Sequence, residues 1–368
     1  MFEERRTSEV VRRELRSLGI EFVGDLAGGT GVLGYIPATG DGASTVALRA
    51  EMDALPIEEA TGREYASSTP GVMHACGHDG HTAIVLGAAR VISKVPDRPN
   101  HVLLVFQPAE EGGAGGEKMC EAGALSGALI GRPADHIYGL HGWPMHELGN
   151  VSTRVGPLLA ATDEFVVTIK GKGGHAAIPH NAIDPIVAAA HVITALQTIA
   201  SRRVDPLDAV VVTVGAIHAG HANNVIPSEA TLRGTIRTLR PETRARAEAD
   251  FRRLVTGVAR SLGAEAEIDW QVGYPVTFNH EAPTERFRAI ARRALGESRV
   301  IDEPAPTMGG EDFAYYAQKI PACFFLLGLR PREMDGEYPS VHTPRFDFND
   351  DALPIGIELM TRLALEPV

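Results

Sequence analysis

The chain has 368 residues, long for one domain and sufficient for two. Hydrophobic residues make up 44% and charged residues 22%, so a folded rather than disordered chain is expected. The formal charge of −12 argues against holding nucleic acid or an anionic membrane by bulk electrostatics, and no apolar run reaches the roughly 18 residues a spanning helix needs. The charged opening Met1-Phe2-Glu3-Glu4-Arg5-Arg6 lacks the apolar segment and small-residue cleavage site of a signal peptide. Three cysteines, Cys76, Cys120 and Cys323, are too few for a disulfide framework and point to a reducing, cytoplasmic setting.

The spacing of Val11, Leu15 and Leu18 predicts a helix over 8–18, stopped at Gly19. Apolar strands follow, each leading into a polar cluster. Thr45-Val46-Ala47-Leu48-Arg49 precedes Glu51-Met52-Asp53, and His101 to Phe106 precedes Gln107-Pro108-Ala109-Glu110-Glu111. His136-Ile137-Tyr138-Gly139-Leu140 precedes His141-Gly142-Trp143-Pro144. Continuous apolar runs predict strands buried on both faces, as in a largely parallel α/β sheet. Ligands of such sheets bind beyond the carboxyl ends of the strands, where the polar clusters lie.

From about 160 the order becomes strand 163–170, helix 181–200, strands 209–217 and 229–239, helix 241–262 and strand 264–272. This β-α-β-β-α-β order predicts a ferredoxin-like α+β domain over 160–274. It interrupts a discontinuous α/β domain formed by 1–159 and 275–368, to which helix 284–295 and strand 322–328 return the chain.

The densest chemical cluster is His74-Ala75-Cys76-Gly77-His78-Asp79-Gly80-His81. Thiolate and imidazole are ligands for zinc and similar divalent ions, and Cys76 and His78 can meet one ion from a tight turn. A lone Cys-x-His is more often a polar loop with a buried cysteine. Candidate partners after other strands reverse that judgement. Glu110 and Glu111 follow a strand and can divide the work, one binding metal and the other taking a proton from water. His141 and His342 complete the set. Five ligands, Cys76, His78, Glu111, His141 and His342, exceed the needs of one catalytic ion and suit two.

With these motifs in hand, the sequence resembles the co-catalytic metallopeptidase-type amidohydrolases, which include hippurate hydrolases, N-acyl-amino-acid amidohydrolases and auxin-conjugate hydrolases. The resemblance rests on Ala50-Glu51-Met52-Asp53-Ala54-Leu55-Pro56, His74 to Thr82, Phe106 to Glu111 and Asn224-Val225-Ile226-Pro227, and runs over nearly the whole chain. It implies a metallopeptidase-like catalytic α/β domain with an inserted lid that commonly dimerises, giving a homodimer or higher homo-oligomer. It implies two divalent ions per subunit on the five ligands, manganese or zinc first and cobalt or nickel next, with Glu110 as general base and Asp53 supporting the ligands from behind.

The resemblance also implies that His175, in Gly171-Lys172-Gly173-Gly174-His175-Ala176, approaches the scissile carbonyl, often from a partner subunit. Asn224 then contacts substrate, and Arg237 with the Gly309-Gly310 loop grips the substrate carboxylate; the plainer reading of Arg237 is a strand arginine facing solvent. The implied reaction is hydrolysis of N-acyl amino acids. A dipeptidase or carboxypeptidase on the same scaffold is the near rival, and a metal-bound binding protein without catalysis the distant one. Two features depart from the family: Glu51 stands where Asp is usual, and relatives carry about one more helix upstream of Phe2.

Overall fold

A computed structural model describes residues 1–40, 43–334, 336 and 338–368. The chain divides into two compact units. The first comprises Met1–Leu158, Thr277–Ala305 and Asp312–Val368, and the second Leu159–Val276 and Pro306–Glu311. Sequence reasoning places Pro306–Glu311 with the first part of the chain. Instead, Ala160 N–H donates to Gly309 C=O at 2.8 Å, and Leu159 bridges Thr307.

The first unit opens with helix α1, Arg5–Ser17, which buries Val11 and Leu15 one turn apart. Its sheet contains β1 (Glu21–Leu26), β2 (Gly31–Ile36), β3 (Thr45–Glu51), β4 (His101–Gln107), β5 (His136–Glu147) and β6 (Val151–Thr153), with strands Val300–Asp302 and Ala322–Arg330. The spatial order is β1-β2-β4-β3-β5, then Ala322–Arg330, β6 and Val300–Asp302. β4, β3, β5 and Ala322–Arg330 run parallel through the centre. Every residue of β3 and β4 is buried, which explains their unbroken apolar character. The mixed α/β class is the expected one.

Three elements differ from expectation. β5 continues through His141 to Glu147, because Ala322–Arg330 pairs with it in register Leu326↔His141 after its pairing with β3 has ended at Arg49↔Gly139. His141 is therefore a strand residue rather than a loop residue. Helix α2, His78–Ile92, which the sequence reading does not include, starts inside the cluster from which a tight turn alone is expected. The C-terminal helix Leu353–Leu365 packs against it. Both helices are apolar on several sides, so neither shows a clear polar face.

The second unit has a four-stranded antiparallel sheet in the order Val210–Ala219, Glu229–Thr238, Ala161–Lys170, Glu265–Val272. Helices Pro185–Thr198 and Pro241–Ser261 pack on it through Phe165, Val192, Leu196, Phe251 and Val255. Asp184 caps the first helix, accepting the Ile186 N–H at 2.9 Å, with Pro185 at the first helical position. Among the described residues no helix is long and apolar enough to cross a membrane.

Candidate metal centre

In the first unit the five residues singled out as ligands converge. Gly77 takes φ 91° between Cys76 and His78, a left-handed turn that glycine adopts without strain. It swings the two side chains together at the start of α2. Cys76 Sγ lies 3.2 Å from His141 Nε2 and 3.3 Å from His342 Nε2. His342 Nε2 is 3.0 Å from a Glu111 oxygen. His342 itself sits at φ 63° and is tied by its N–H to the Ala75 carbonyl at 2.7 Å, which aims the ring at the thiol.

Two overlapping triads result, Cys76-His78-His141 and Cys76-Glu111-His342. Within each, the ligand atoms lie within 4.8 Å of one another, and the same holds for His78, Glu110 and Glu111. Cys76 belongs to both triads. His78 Nδ1 faces Asp53, 3.0 Å from Oδ1 and 3.1 Å from the backbone carbonyl, so Nε2 is the free nitrogen. That atom is buried and makes no hydrogen bond among the described residues. A buried, unsatisfied imidazole nitrogen aimed at a thiol and carboxylates fits a divalent cation.

Asp53 does double duty, because its Oδ2 accepts the Glu111 N–H at 2.9 Å and fixes the loop after β4. Ala109, at φ 53°, makes the sharp turn that sends Glu110 and Glu111 inward. Glu110 is buried, and its Oε1 accepts the Asp312 N–H at 3.4 Å.

Electrostatics agree with this arrangement. Burial pushes the Cys76 thiol up, but His141 and His78 with hydrogen bonds from His141 and His342 outweigh it and hold the thiol well below its ordinary range. Burial opposes charge on His141, yet the adjacent sulfur raises it to about 9. Hydrogen bonds to Cys76 and Glu111 raise His342 to about 10. A sulfur anion surrounded by imidazoles is the charge pattern of a ligand set.

Sequence reasoning gave no role to the buried network beneath this cluster. Arg49 Nε donates to Gln107 Oε1 at 2.9 Å and Nη2 to Asp312 Oδ1 at 2.7 Å, while Nη1 pairs with Glu51. Gln107 Nε2 and the Gly116 N–H also donate to Asp312, each at 2.8 Å. Glu51 in turn faces His81 Nδ1 at 3.0 Å. The available signal was an arginine inside an otherwise apolar strand, Leu48-Arg49-Ala50. A buried guanidinium demands anionic partners.

In the second unit, His175 and Val225 pair in a two-stranded ladder, and the Asn224 carbonyl accepts the Ala176 N–H at 3.0 Å. His175 and Asn224 are thus neighbours, both exposed. His175 Nδ1 accepts the Ala177 N–H at 3.1 Å, leaving the ring hydrogen on Nε2. Arg237 is half-buried on strand Glu229–Thr238 rather than turned fully to solvent, and its side chain makes no hydrogen bond or ion pair among the described residues. Gly310 lies beside it: a Cβ there would stand 3.2 Å from Arg237 Nη1 and 2.3 Å from Thr162 Cγ2, so a side chain would crowd the guanidinium.

A mixed α/β fold that brings a thiol, imidazoles and carboxylates together, with a further carboxylate beside them, defines a hydrolase acting on amide bonds. The chain belongs to peptidase family M20/M25/M40, whose model matches residues 47–366. It is 42% identical over 352 residues to the N-acetyl-L-cysteine deacetylase of Bacillus subtilis (strain 168), covering 95% of this chain and 80% of that one. It is 40% identical to IAA-amino acid hydrolase ILR1-like 4 of Arabidopsis thaliana, covering 99% and 81%. The fold superimposes with a TM-score of 0.82 on the YXEP protein of Bacillus subtilis, described as a dinuclear metal-binding peptidase of family M20. That protein is 35% identical, with 99% of this chain and 93% of that one covered.

Proposed function

We propose that this chain hydrolyses the amide bond of N-acyl amino acids, releasing a carboxylic acid and a free amino acid. The observation that carries the proposal is the pair of triads sharing the buried Cys76, with Glu110 alongside. Cys76, His78, Glu111, His141 and His342 would hold two divalent cations, and Asp53 keeps His78 turned toward them. Ions bound there supply Lewis acidity, polarising a carbonyl and lowering the pKa of a water molecule. The thiolate and imidazoles among the ligands suit zinc and the carboxylate suits manganese, with cobalt and nickel compatible.

Glu110 takes a proton from the attacking water as the new C–O bond forms, and returns it to the departing nitrogen as the C–N bond breaks. His175, with its hydrogen on Nε2, donates to the oxygen that gains negative charge, which favours the transition state over the substrate. Asn224, beside it, contacts the bound molecule. Arg237 and the Gly309-Gly310 backbone take the amino-acid carboxylate, so free carboxylates are preferred over neutral amides. The second unit serves as a lid and as the contact for a homodimer, and the enzyme works in the cytoplasm.

The two relatives named for deacetylating N-acetyl-L-cysteine and for hydrolysing amino-acid conjugates support this substrate class. The relative described as a peptidase favours, as a second reading, a carboxypeptidase or dipeptidase on the same site. The deciding experiment is a panel of N-acetyl amino acids, hippurate and dipeptides, run on chelated and metal-reconstituted protein. Metal-dependent release of free amino acid from the N-acyl compounds is expected. Faster turnover of dipeptides establishes the peptidase reading, and activity indifferent to chelation refutes both.

A further inference from the structure

His81 is fully buried one helical turn into α2, and both of its ring nitrogens are engaged. The Gly142 N–H points at His81 Nε2 at 2.8 Å. A backbone N–H can only donate, so Nε2 must carry a lone pair and the ring hydrogen must sit on Nδ1. Nδ1 faces Glu51 Oε2 at 3.0 Å, and Glu51 is paired with Arg49. On its other side Gly142 is equally constrained, because its carbonyl lies 2.8 Å from His141 Nδ1. A carbonyl can only accept, so His141 carries a hydrogen on Nδ1, and Nε2, 3.2 Å from Cys76, is the nitrogen left for a cation.

We propose that His81 is a positioning residue for the His141 ligand. It fixes the ring's orientation and tautomer through the N–H and C=O of Gly142, with Glu51 and Arg49 setting the tautomer of His81 itself. The inference rests on the assignment of His141 as a metal ligand. Glu51, His78 and His81 also lie close enough to suggest an ion site of their own. The occupation of both His81 nitrogens argues against it: one is taken by a donor that cannot be displaced without unpinning Gly142, and the other by Glu51. The arrangement also gives the departure at position 51 a purpose. Its carboxylate reaches Arg49 and His81 at once, and its backbone carbonyl accepts from Thr82 Oγ1 at 2.6 Å.

The test is zinc affinity of the metal-free protein, measured by competition with a chelator, beside imidazole 15N NMR of the wild type. In His81→Gln the amide oxygen can take the place of Nε2 and still accept from Gly142. In His81→Asn the shorter amide reaches Glu51 but leaves the Gly142 N–H bare. His81→Asn is expected to bind zinc about 10- to 100-fold more weakly, the range found for residues that orient ligands, while His81→Gln stays close to wild type. Equal weakening in both variants, or full affinity in His81→Asn, overturns the proposal. The wild-type spectrum is expected to show His81 with its hydrogen on Nδ1, and a hydrogen on Nε2 overturns the proposal even if neither variant folds. His141→Ala serves as the control. Undiminished zinc binding in that variant would refute the ligand assignment instead.

Discussion

Arg49 and Asp312, 263 positions apart in sequence, form a fully buried ion pair, Nη2 to Oδ1 at 2.7 Å. The same guanidinium serves Glu51 and Gln107. Replacing it by a neutral side chain strands two carboxylates out of water. Arg49→Met is therefore expected to destabilise the fold by about 3–5 kcal/mol. Arg49→Lys cannot reproduce the three-way fork and should also lose stability. Urea unfolding of the three proteins checks this; an Arg49→Met midpoint equal to wild type would show that the pair contributes nothing.

Glu110→Gln keeps the size of the side chain and the acceptor for the Asp312 N–H but removes the base. Turnover should fall by about 100- to 10,000-fold, with metal content per chain unchanged. Metal analysis of the purified variant separates this from loss of a ligand, and substantial residual activity assigns the proton transfer to another group.

The three cysteines should differ sharply toward an alkylating agent. Burial raises the thiols of Cys120 and Cys323 to about 12, which keeps both protonated and inert at neutral pH. Cys76 faces the ligand cluster instead. Mass spectrometry after mild iodoacetamide treatment should find one labelled site, Cys76, in chelated protein and none in zinc-loaded protein. Equal labelling with and without zinc contradicts its place among the ligands.

Arg237 has no partner of its own among the described residues, which leaves it available to an anionic one. Arg237→Met should lower kcat/KM for N-acetyl amino acids by roughly ten- to a hundredfold, the worth of a hydrogen bond to a charged group. The corresponding amino-acid amides, which lack the carboxylate, should be affected far less. A uniform loss on both substrates would make Arg237 a structural residue.

His101 supplies a pH signature remote from the ligands. Its Nδ1 accepts the Ala38 N–H at 3.1 Å and lies 2.6 Å from the Tyr35 hydroxyl, and burial lowers its pKa, with Arg132 adding to the shift. The folded state thus prefers neutral imidazole. The stability this gives is complete above the unfolded pKa of about 6.5 and is lost as the pH falls through the lower folded value. His101→Asn retains an acceptor near Nδ1 but does not titrate. Its stability relative to wild type should improve as the pH is lowered from 8 to 5, and a constant difference across that range removes His101 as the cause.

What the sequence revealed followed from local chemistry. β3 and β4 are legible because Val46-Ala47-Leu48 and Val102 to Phe106 are unbroken apolar runs, as burial on both faces requires. Cys76 and His78 were legible because Gly77 allows the turn between them. Helix α2 was not, since packing on several sides leaves it without a polar stripe. Strands Val151–Thr153 and Val300–Asp302 are too short to show alternation. In the network of Arg49, His81 and Asp312, Arg49 inside an apolar strand signalled a need for anionic partners, but their identity was hidden for another reason. The other members carry ordinary residue types, and only the folded chain brings Gln107 to Asp312 or Gly142 to His81.

Asp163 stands opposite Val272 in adjacent antiparallel strands, and Arg244 clasps the place where they meet, holding the Asp163 carboxylate and the Gly273 carbonyl. The long excursion of the chain between these points therefore begins and ends at one spot. For a folding chain this changes the effective distance between β5 and strand Ala322–Arg330, which must find each other in parallel register. Once the excursion has folded, it behaves as a short tether rather than a long slack loop, so the entropy of closing that parallel pair falls by the logarithm of the residues taken out of play.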